Sequence, residues 1–289
     1  MPSSFLSECK QKVLNRIESL LVSKDQVTSS MRYSALADSK CIRAGLVFAS
    51  GKLEGKLDEV GLTDIATSLE LMHTYSLIHD DLPAMDDDDM RRGQPSNHLK
   101  FNEATAILAG DALQALAFET IASSKAITDA HKVEAVKMLA AACGHQGMVL
   151  GQQYDLDAEK NELLDIELIH SLKTAKLIQV ALTMPYLGNE MYKKTQVLLS
   201  NLGGKIGLAF QIMDDVLEVS SDSVTLGKSN LSDITNKKMT YVSVYGLEAS
   251  IQKAEALSNF CIEQIQENFE VEKTRELIEL MHLMVSRSN

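Results

Sequence analysis

Two clusters of acidic residues could carry the chemistry of this chain, and the first begins at Asp80. The ten residues from Asp80 to Asp89 contain six carboxylates. An isolated acidic run is usually a solvated loop. This one follows an apolar helix predicted over 63–82, and Pro83 ends that helix. We therefore expect Asp86 to fold back toward Asp80, which would bring carboxylates together where the helix leaves the core.

The second acidic cluster lies far downstream, in the run from Phe210 to Glu218. Asp214 and Glu218 are four residues apart, so they lie on one face of a helix and can share a cation. Carboxylate oxygens without His or Cys favour Mg²⁺, Mn²⁺ or Ca²⁺ over zinc, and the spacing excludes an EF-hand loop. Because Mg²⁺ retains water and binds through one or two carboxylates plus phosphates, two such clusters predict a polyphosphate between them.

Basic side chains that such an anion would need stand next to the acidic residues. Each of them, taken alone, is typical of an ordinary exposed surface base. Their repeated position beside carboxylates favours a role in phosphate binding. They are Arg91 and Arg92 after the first cluster, Lys228, Lys237 and Lys238 after the second, and Lys40 with Arg43, which are predicted to share a helical face at spacing three.

The elements that must position these side chains are helices. Apolar residues recur at helical spacing through most of the chain, strand alternation is scarce, and there are only 4 Pro and 15 Gly. We predict an all-α fold, a single domain over residues 1–289 with about ten helices. The predicted helices span 4–22, 30–50, 63–82, 103–123, 128–151, 165–183, 190–218, 239–247, 248–268 and 271–286.

Charge and composition exclude several classes of protein. The formal net charge is −12, so we expect no nucleic-acid partner. The 4 Cys are scattered without a CxxC pair, which argues against a disulfide framework and a zinc site. No basic leader with an apolar stretch opens the sequence, and no run of about 18 apolar residues occurs. We therefore predict a cytoplasmic protein without a membrane span.

Two pairs of glycines are four residues apart, Gly147 with Gly151 and Gly203 with Gly207. On a helix this spacing lets another backbone, or a bound chain, come close. We interpret tight helix packing as the first role of both pairs.

Several motifs resemble the trans-polyprenyl diphosphate synthase family, most closely its bacterial farnesyl diphosphate synthase type. HTYSLIHDDLPAMDDDDMRRG is similar to the family's first aspartate-rich motif, in the form with four residues between the aspartate pair and the next aspartate, and FQIMDDVLE is similar to the second. The resemblance covers nearly the whole chain, since further matches follow in order: MRYSAL, AILAGDAL, GMVLGQQYDLDAE, Lys173-Thr174, GGKIGLAFQ and LGK. It implies an all-α, isoprenoid synthase-like bundle around a central cavity, usually a homodimer.

The activity that the resemblance implies is Mg²⁺-dependent prenyl transfer from an allylic diphosphate to isopentenyl diphosphate, with the released diphosphate as the usual base. The implied ligands of roughly three Mg²⁺ ions are Asp80, Asp86 and Asp214, with Asp81 and Glu218 as supporters. The implied contacts to the allylic diphosphate or the carbocation are Arg91, Lys173, Thr174, Gln211, Lys228 and Lys238. The implied isopentenyl diphosphate site consists of Lys40, Arg43, His73 and Arg92.

Product length in this family depends on the residues just before the first motif. A bulky aromatic residue five positions before the motif stops the growing chain, and Tyr75 holds that position here, with the small Ser76 beside it. We therefore expect the C15 product farnesyl diphosphate, made from dimethylallyl or geranyl diphosphate. A geranyl or geranylgeranyl diphosphate synthase is the alternative.

Three positions depart from the family pattern. The usual Gly-Gly-Lys-Arg-Leu-Arg-Pro reads Asp-Ser-Lys-Cys-Ile-Arg-Ala over 38–44, which removes one cation and adds Asp38, so we expect a raised KM for isopentenyl diphosphate. Glu218 replaces a final Asp, and Lys-Lys-Met-Thr over 237–240 replaces Gly-Lys-Ser/Thr.

These departures leave two other functional classes open. One is a non-catalytic subunit that tunes a partner prenyltransferase, and the intact first motif argues against it. The other is a terpene synthase that ionises farnesyl diphosphate itself, and the retained residues of the isopentenyl diphosphate site argue against that class. Product analysis distinguishes all three.

Overall fold

The chain folds almost entirely into helices. A computed structural model describes residues 4–158, 165–189, 192–225 and 239–286. Over these residues the only strands are β1 (Met90–Arg91) and β2 (Gln94–Pro95), which pair antiparallel. The all-α prediction is confirmed. The α-helices are α1 Ser4–Leu20, α2 Gln26–Ala35, α3 Ile42–Glu54, α4 Glu59–Asp80, α5 Asn97–Lys100, α6 Glu103–Ala122, α7 Asp129–Cys143, α8 Met148–Ala158, α9 Ile166–His170, α10 Lys176–Thr183, α11 Tyr192–Thr225, α12 Tyr241–Tyr245, α13 Leu247–Asn268 and α14 Val271–Val285.

The helix predicted over 30–50 is interrupted. It divides into α2 and α3, because residues 36–41 leave the helix and Cys41 takes a left-handed φ of 48° just before α3. A left-handed residue cannot continue a right-handed helix. The prediction that Lys40 and Arg43 share a helical face is therefore wrong, since Lys40 precedes α3.

Other predicted boundaries also shift. The segment 128–151 divides into α7 and α8 at a turn that contains Gly144 and Gly147. Gly147 therefore belongs to the turn and not to a packed helix face. The segment 165–183 contains α9 and α10 with a π-helical turn, Ser171–Ala175, between them.

Two compact units divide the described residues. The first contains α1 to α6 and most of α7, together with the described residues from Ala181 to Tyr192. The second contains the described residues from Ala140 to Val180 and those from Lys193 onward. The first acidic cluster lies in the first unit, and the second acidic cluster lies in the second unit.

The core of the first unit is built around α4. Its N-terminus is capped by Asp58, whose side chain accepts a hydrogen bond from the backbone N–H of Gly61 at 2.8 Å. Residues around most of its circumference are buried, and it packs against α1, α3 and α6. The hydroxyl of Ser68 also donates to the carbonyl oxygen of Ala117 in α6 at 2.7 Å. Contacts on several sides give Asp80, the last residue of α4, a defined position.

Close backbone contacts shape the second unit around the π-helical turn Ser171–Ala175. A Cβ atom on Gly151 of α8 would lie 2.3 Å from the backbone nitrogen of Lys173, and one on Gly207 of α11 would lie 2.6 Å from a Cα atom of the same turn. Gly203 approaches the backbone of α10 in the same way, at 2.7 Å. The packing role predicted for these three glycines is confirmed, because only a residue without a Cβ fits.

Among the described residues, α6 is the one helix that is long and apolar enough to cross a membrane by length and composition. Its most apolar window is 44% buried inside the protein, and core helices satisfy the same criterion. All four cysteines are buried and free.

Candidate active site

The end of α4 brings two aspartates of the first cluster together. Asp80 is the last residue of α4, and Asp81 caps the helix. Pro83 lies in the turn that follows, and the backbone N–H of Asp86 donates to the carbonyl oxygen of Asp80 at 2.9 Å. The predicted return of Asp86 toward Asp80 is confirmed. Both residues are partly exposed, so a cation from solvent can reach them.

Asp81 is turned inward and holds Arg91. It is only 2% exposed, and it accepts from the Arg91 guanidinium through Nε at 2.9 Å and also through Nη2. Asp88 accepts from the same Nη2 at 2.8 Å. Burial raises the pKa of Asp81, and Arg91 opposes that shift. Burial also disfavours the charge on Arg91, but Asp81 and Asp88 outweigh it and raise the pKa of Arg91. Asp81 thus serves as the partner of Arg91, which stays charged and fixed.

A tight turn follows Arg91 and carries Arg92. Arg92 and Gly93 have positive φ values of 54° and 77°, the backbone pattern of a two-residue hairpin turn. A left-handed arginine is unusual. Its Nη1 lies 3.5 Å from the carbonyl oxygen of Ser34 in α2, so the turn directs this side chain back across the first unit.

Arg43, His73 and Arg92 form a positively charged group in the first unit. Burial lowers the pKa of His73 well below its usual value, and Arg43, Arg92 and Arg91 lower it further. The imidazole is therefore neutral near pH 7. Burial also lowers the pKa of Arg92, while Glu70 opposes that shift. Glu70 is 5% exposed and accepts a backbone N–H at the start of α3 at 2.9 Å. The structure thus groups three of the residues predicted to bind isopentenyl diphosphate.

The departures around Lys40 make local contacts. Lys40 is exposed ahead of α3. The carboxylate of Asp38 is paired with Nζ of Lys10 in α1 at 2.5 Å. Cys41 is buried, with its Sγ 3.2 Å from the hydroxyl of Ser39. Lys10 therefore compensates the negative charge that Asp38 adds.

Tyr75 is held in place from α6. The ring of His79 meets it edge-on, with centroids 4.9 Å apart. His79 Nε2 donates to the carbonyl oxygen of Ile107 at 3.1 Å, and a Cβ on Gly110 would lie 2.2 Å from the same nitrogen. Ser76 donates to a carbonyl within α4 at 2.9 Å. Contacts with α6 therefore fix the position of His79, and His79 in turn packs against the ring of Tyr75.

In the second unit, the π-helical turn presents Lys173 and Thr174 side by side. A π turn inserts one extra residue into a helix and is frequent at functional sites. Nζ of Lys173 pairs with the carboxylate of Asp155 at 2.6 Å, and Asp155 is 9% exposed. Thr174 is 6% exposed and donates its hydroxyl to Oε1 of Gln211 at 2.7 Å. The structure thus brings Thr174 and Gln211 together, as their predicted roles require.

A buried carboxylate contacts Gln211 from the opposite side. Gln211 Nε2 donates to Oδ1 of Asp215 at 3.2 Å, and the backbone N–H of Tyr241 donates to Oδ2 at 2.7 Å. Nε2 of His170 lies 3.4 Å from the same Oδ2. Burial raises the pKa of Asp215 to about 6, while the hydrogen bonds from Tyr241 and Gln211 oppose the shift. Asp215 is therefore held by hydrogen bonds to both of its carboxylate oxygens.

The donor set fits Mg²⁺. Asp80, Asp86 and Asp214 are partly exposed carboxylates, and Glu218 is exposed. In the part of the chain that the structure describes, no group of three or more His, Cys, Asp or Glu side chains forms a closed metal site. Mg²⁺ needs only one or two carboxylates when phosphate oxygens and water supply the remaining ligands. The predicted residues Lys228, Lys237 and Lys238 lie outside the described residues.

Sequence reasoning missed the buried partners of the predicted residues. These are charged or polar side chains within apolar helical runs, where burial without a partner would be costly. A charged or polar residue within an apolar helical run was therefore the sequence signal that could have identified these partners. The partners are Glu70, Asp155, His170, Asp215 and Tyr241.

Comparison with known proteins agrees with this geometry. The sequence profile described as polyprenyl synthetase matches residues 24–281. The farnesyl diphosphate synthase of Haemophilus influenzae is 39% identical over 272 residues, which cover 90% of this chain and 92% of that protein. The farnesyl diphosphate synthase of Escherichia coli is 42% identical over 257 residues, which cover 87% of this chain and 86% of that protein.

Solved structures give the same result. A geranyltransferase from Legionella pneumophila superposes with a TM-score of 0.87 at 33% identity, covering 99% of this chain and 97% of that one. A geranyltransferase from Helicobacter pylori, complexed with magnesium and isoprenyl diphosphate, superposes with a TM-score of 0.82 at 29% identity over 99% of both chains. The chain therefore belongs to the polyprenyl synthetase family.

Proposed function

We propose that this chain is a Mg²⁺-dependent prenyltransferase that condenses isopentenyl diphosphate with dimethylallyl or geranyl diphosphate to give farnesyl diphosphate. The alkene of isopentenyl diphosphate forms a bond to C1 of the allylic substrate, whose C–O bond breaks as diphosphate leaves with the electron pair. Loss of a proton from C2 of the isopentenyl unit restores an alkene. Relatives named farnesyl diphosphate synthase and geranyltransferase support this reaction.

The single observation that carries the proposal is the geometry after α4. The hydrogen bond from the Asp86 N–H to the Asp80 carbonyl oxygen, at 2.9 Å, brings the backbones of two partly exposed aspartates together. Asp81 fixes Arg91 beside them. We assign Asp80, Asp86 and Asp214 as the ligands of Mg²⁺, in a cluster of about three ions. Bound Mg²⁺ would neutralise the charge on the departing diphosphate.

The second unit supplies the proposed contacts to the allylic group. Lys173, which Asp155 orients at 2.6 Å, offers its ammonium to the allylic diphosphate. Thr174 and Gln211 offer oxygen atoms that stabilise the developing carbocation. Arg91, which belongs to the first unit, is also assigned to the allylic diphosphate, as are Lys228 and Lys238.

The positive group in the first unit suits a second diphosphate. Arg43 and Arg92 provide charge, and the neutral His73 can provide a hydrogen bond without adding to their repulsion. Lys40 completes the proposed isopentenyl diphosphate site from the segment before α3. No side chain is assigned as the final base, because the released diphosphate serves that role in this family.

Tyr75 and Ser76 set the proposed product length. The contact between His79 and Tyr75, at 4.9 Å between ring centroids, holds the Tyr75 ring in place. This supports the proposal that Tyr75 blocks further growth of the prenyl chain. Farnesyl diphosphate is therefore the proposed product, ahead of geranyl or geranylgeranyl diphosphate.

The proposed enzyme is a single polyprenyl synthase domain and a homodimer in the cytoplasm. The family match over 24–281 runs through both compact units, which supports one domain. On α6, Ile107 and Leu108 are 42% and 54% exposed, and the nearby Leu99 is 54% exposed. A second copy would cover this apolar surface. Four free cysteines suit a reducing compartment.

Product analysis tests the function. The purified chain is incubated with Mg²⁺, labelled isopentenyl diphosphate and, separately, dimethylallyl, geranyl and farnesyl diphosphates. We expect a C15 product from the two shorter primers and no extension of farnesyl diphosphate. A C20 product would refute the proposal that Tyr75 stops chain growth at C15. No product with any primer would refute the enzyme and favour the subunit class, and hydrocarbon release without isopentenyl diphosphate would favour the cyclase class.

A further inference from the structure

A chain of hydrogen bonds in the second unit links a buried aspartate to Thr174. Oδ1 of Asp215 accepts from Nε2 of Gln211 at 3.2 Å, and Oε1 of Gln211 accepts from the Thr174 hydroxyl at 2.7 Å. Asp215 and Thr174 are only 5% and 6% exposed. Water therefore competes little for these bonds, and they polarise one another more strongly than exposed bonds do.

The direction of the chain is determined at its Asp215 end. A carboxylate only accepts hydrogen bonds, and its Oδ2 already accepts the backbone N–H of Tyr241 at 2.7 Å. Gln211 must therefore present its NH₂ group to Asp215 and its oxygen to Thr174. Thr174 then has to donate its single hydroxyl hydrogen to Gln211, which leaves the lone pairs of its oxygen available.

The neighbouring Asp214 has a different environment. Successive side chains on an α-helix point about 100° apart, so Asp214 and Asp215 cannot occupy one face of α11. Asp214 is partly exposed, whereas Asp215 is buried. Both oxygens of Asp215 accept hydrogen bonds from the protein, which argues against a metal-ligand role for it.

We propose that Asp215 is a positioning residue, which acts through Gln211 to keep the Thr174 hydroxyl a donor and its oxygen lone pairs directed at the allylic cation. The proposal rests on the proposed function, in which Thr174 contacts that cation.

The substitution Asp215→Asn should reverse the direction of the hydrogen bonds from Thr174 through Gln211 to position 215, and it keeps a side chain of the same size there. The N–H of Tyr241 still needs an acceptor, so the new amide turns its oxygen there and its NH₂ toward Gln211. Gln211 must then reverse, and its NH₂ occupies the lone pairs of Thr174. We expect kcat to fall about 10- to 100-fold. The KM values for both diphosphates and the Mg²⁺ concentration for half-maximal activity should stay within about twofold of the wild type.

A second substitution should restore the direction. In the double variant Asp215→Asn, Gln211→Glu, the carboxylate at position 211 accepts from both the amide at 215 and the Thr174 hydroxyl. The net charge of the pair is unchanged, and we expect kcat to rise above that of either single variant. Gln211→Glu alone places two carboxylates face to face and should lower both kcat and stability.

Asp64→Asn is the matched control outside the site. Asp64 is 3% exposed and accepts from Nε of Arg16 at 2.9 Å, so this variant also loses a charge-assisted bond to a buried carboxylate. We expect a lower Tm with kcat retained. That result would show that loss of a buried carboxylate does not by itself lower turnover.

Three outcomes would overturn the positioning role: unchanged kcat in Asp215→Asn, a raised Mg²⁺ requirement in that variant, or no recovery in the double variant. Urea unfolding of the same variants separates this proposal from the proposed function. A double-mutant cycle of the free energy of unfolding should show coupling between positions 211 and 215, whether or not the protein has enzymatic activity. Additive losses would overturn the hydrogen-bond chain alone, whereas a wild type without prenyl product would overturn the function and the positioning role together.

Discussion

Gly151→Ala tests whether the π-helical turn must lie where it does. An added Cβ would lie 2.3 Å from the backbone nitrogen of Lys173, 2.7 Å from its Cα and 2.8 Å from the carbonyl carbon of Leu172. A change of rotamer cannot move these atoms, because all three belong to the backbone. Ordinary contact begins near 3.4 Å, so α8 or the turn must shift by about 1 Å.

Two opposing effects determine the sign of the stability change. Alanine is favoured over glycine inside a helix by about 1 kcal/mol, and overpacking costs about 1–3 kcal/mol. Because the clash is with rigid backbone, we take the upper part of that range and expect a net loss of about 1–2 kcal/mol, or a Tm lower by about 2–8 °C. A displacement of about 1 Å at the turn carrying Lys173 and Thr174 should lower kcat by about 100-fold.

Gly204→Ala is the matched control on α11. Its Cβ would meet only the side chain of Gln179, which is flexible, with Nε2 at 3.0 Å and Cδ at 3.8 Å. This variant should keep the wild-type kcat and lose no stability. Steady-state turnover with geranyl and isopentenyl diphosphates, together with thermal unfolding, measures both proteins. If Gly151→Ala were as stable and as active as Gly204→Ala, the close approach would not constrain the turn.

The other predictions concern the proposed roles of single residues. Asp80→Ala should abolish turnover at saturating Mg²⁺ and shift the Tm by less than about 2 °C, because it removes a partly exposed carboxylate; retained turnover would contradict the metal assignment. Tyr75→Ala should yield products longer than C15 in the chain-length assay, and a C15 product alone would refute the role of Tyr75 in limiting chain length. Lys10→Ala removes the counter-charge of Asp38 and should raise the KM for isopentenyl diphosphate by about two- to fivefold at constant kcat, whereas an unchanged KM would show that Asp38 does not influence that site. Leu108→Arg should convert a dimer into a monomer in analytical ultracentrifugation, and an intact dimer would place the interface elsewhere.

The features that the sequence predicted correctly have local causes. Helical periodicity, together with the low Pro and Gly content, indicated the helical class. The return of Asp86 toward Asp80 follows from Pro83, whose ring and missing N–H prevent the helix from continuing through it. Glycines at spacing four predicted close packing at Gly151, because the missing Cβ is a property of the residue itself.

The features that were missed depend on distant parts of the chain. The π-helical turn at Ser171–Ala175 has no signature of its own, since it requires the open surfaces provided by Gly151 and Gly207. The break at Cys41 replaces a helix that periodicity favours, and the buried Glu70 accepts a backbone N–H just beyond it. Such contacts exist only after α3 and α4 have packed together.

The two Asp-Asp doublets of this chain divide their work in the same way. In each, helical geometry turns the second side chain about 100° from the first. Asp80 and Asp214 are partly exposed, whereas Asp81 and Asp215 are 2% and 5% exposed. A buried carboxylate needs partners, and Asp81 takes the guanidinium of Arg91 while Asp215 takes a backbone N–H and an amide. The partly exposed aspartate of each doublet is therefore suited to bind a cation, and the buried one orients a neighbouring side chain that the reaction needs. Loss of one negative charge should therefore have different effects on the kinetics at the two positions of a doublet.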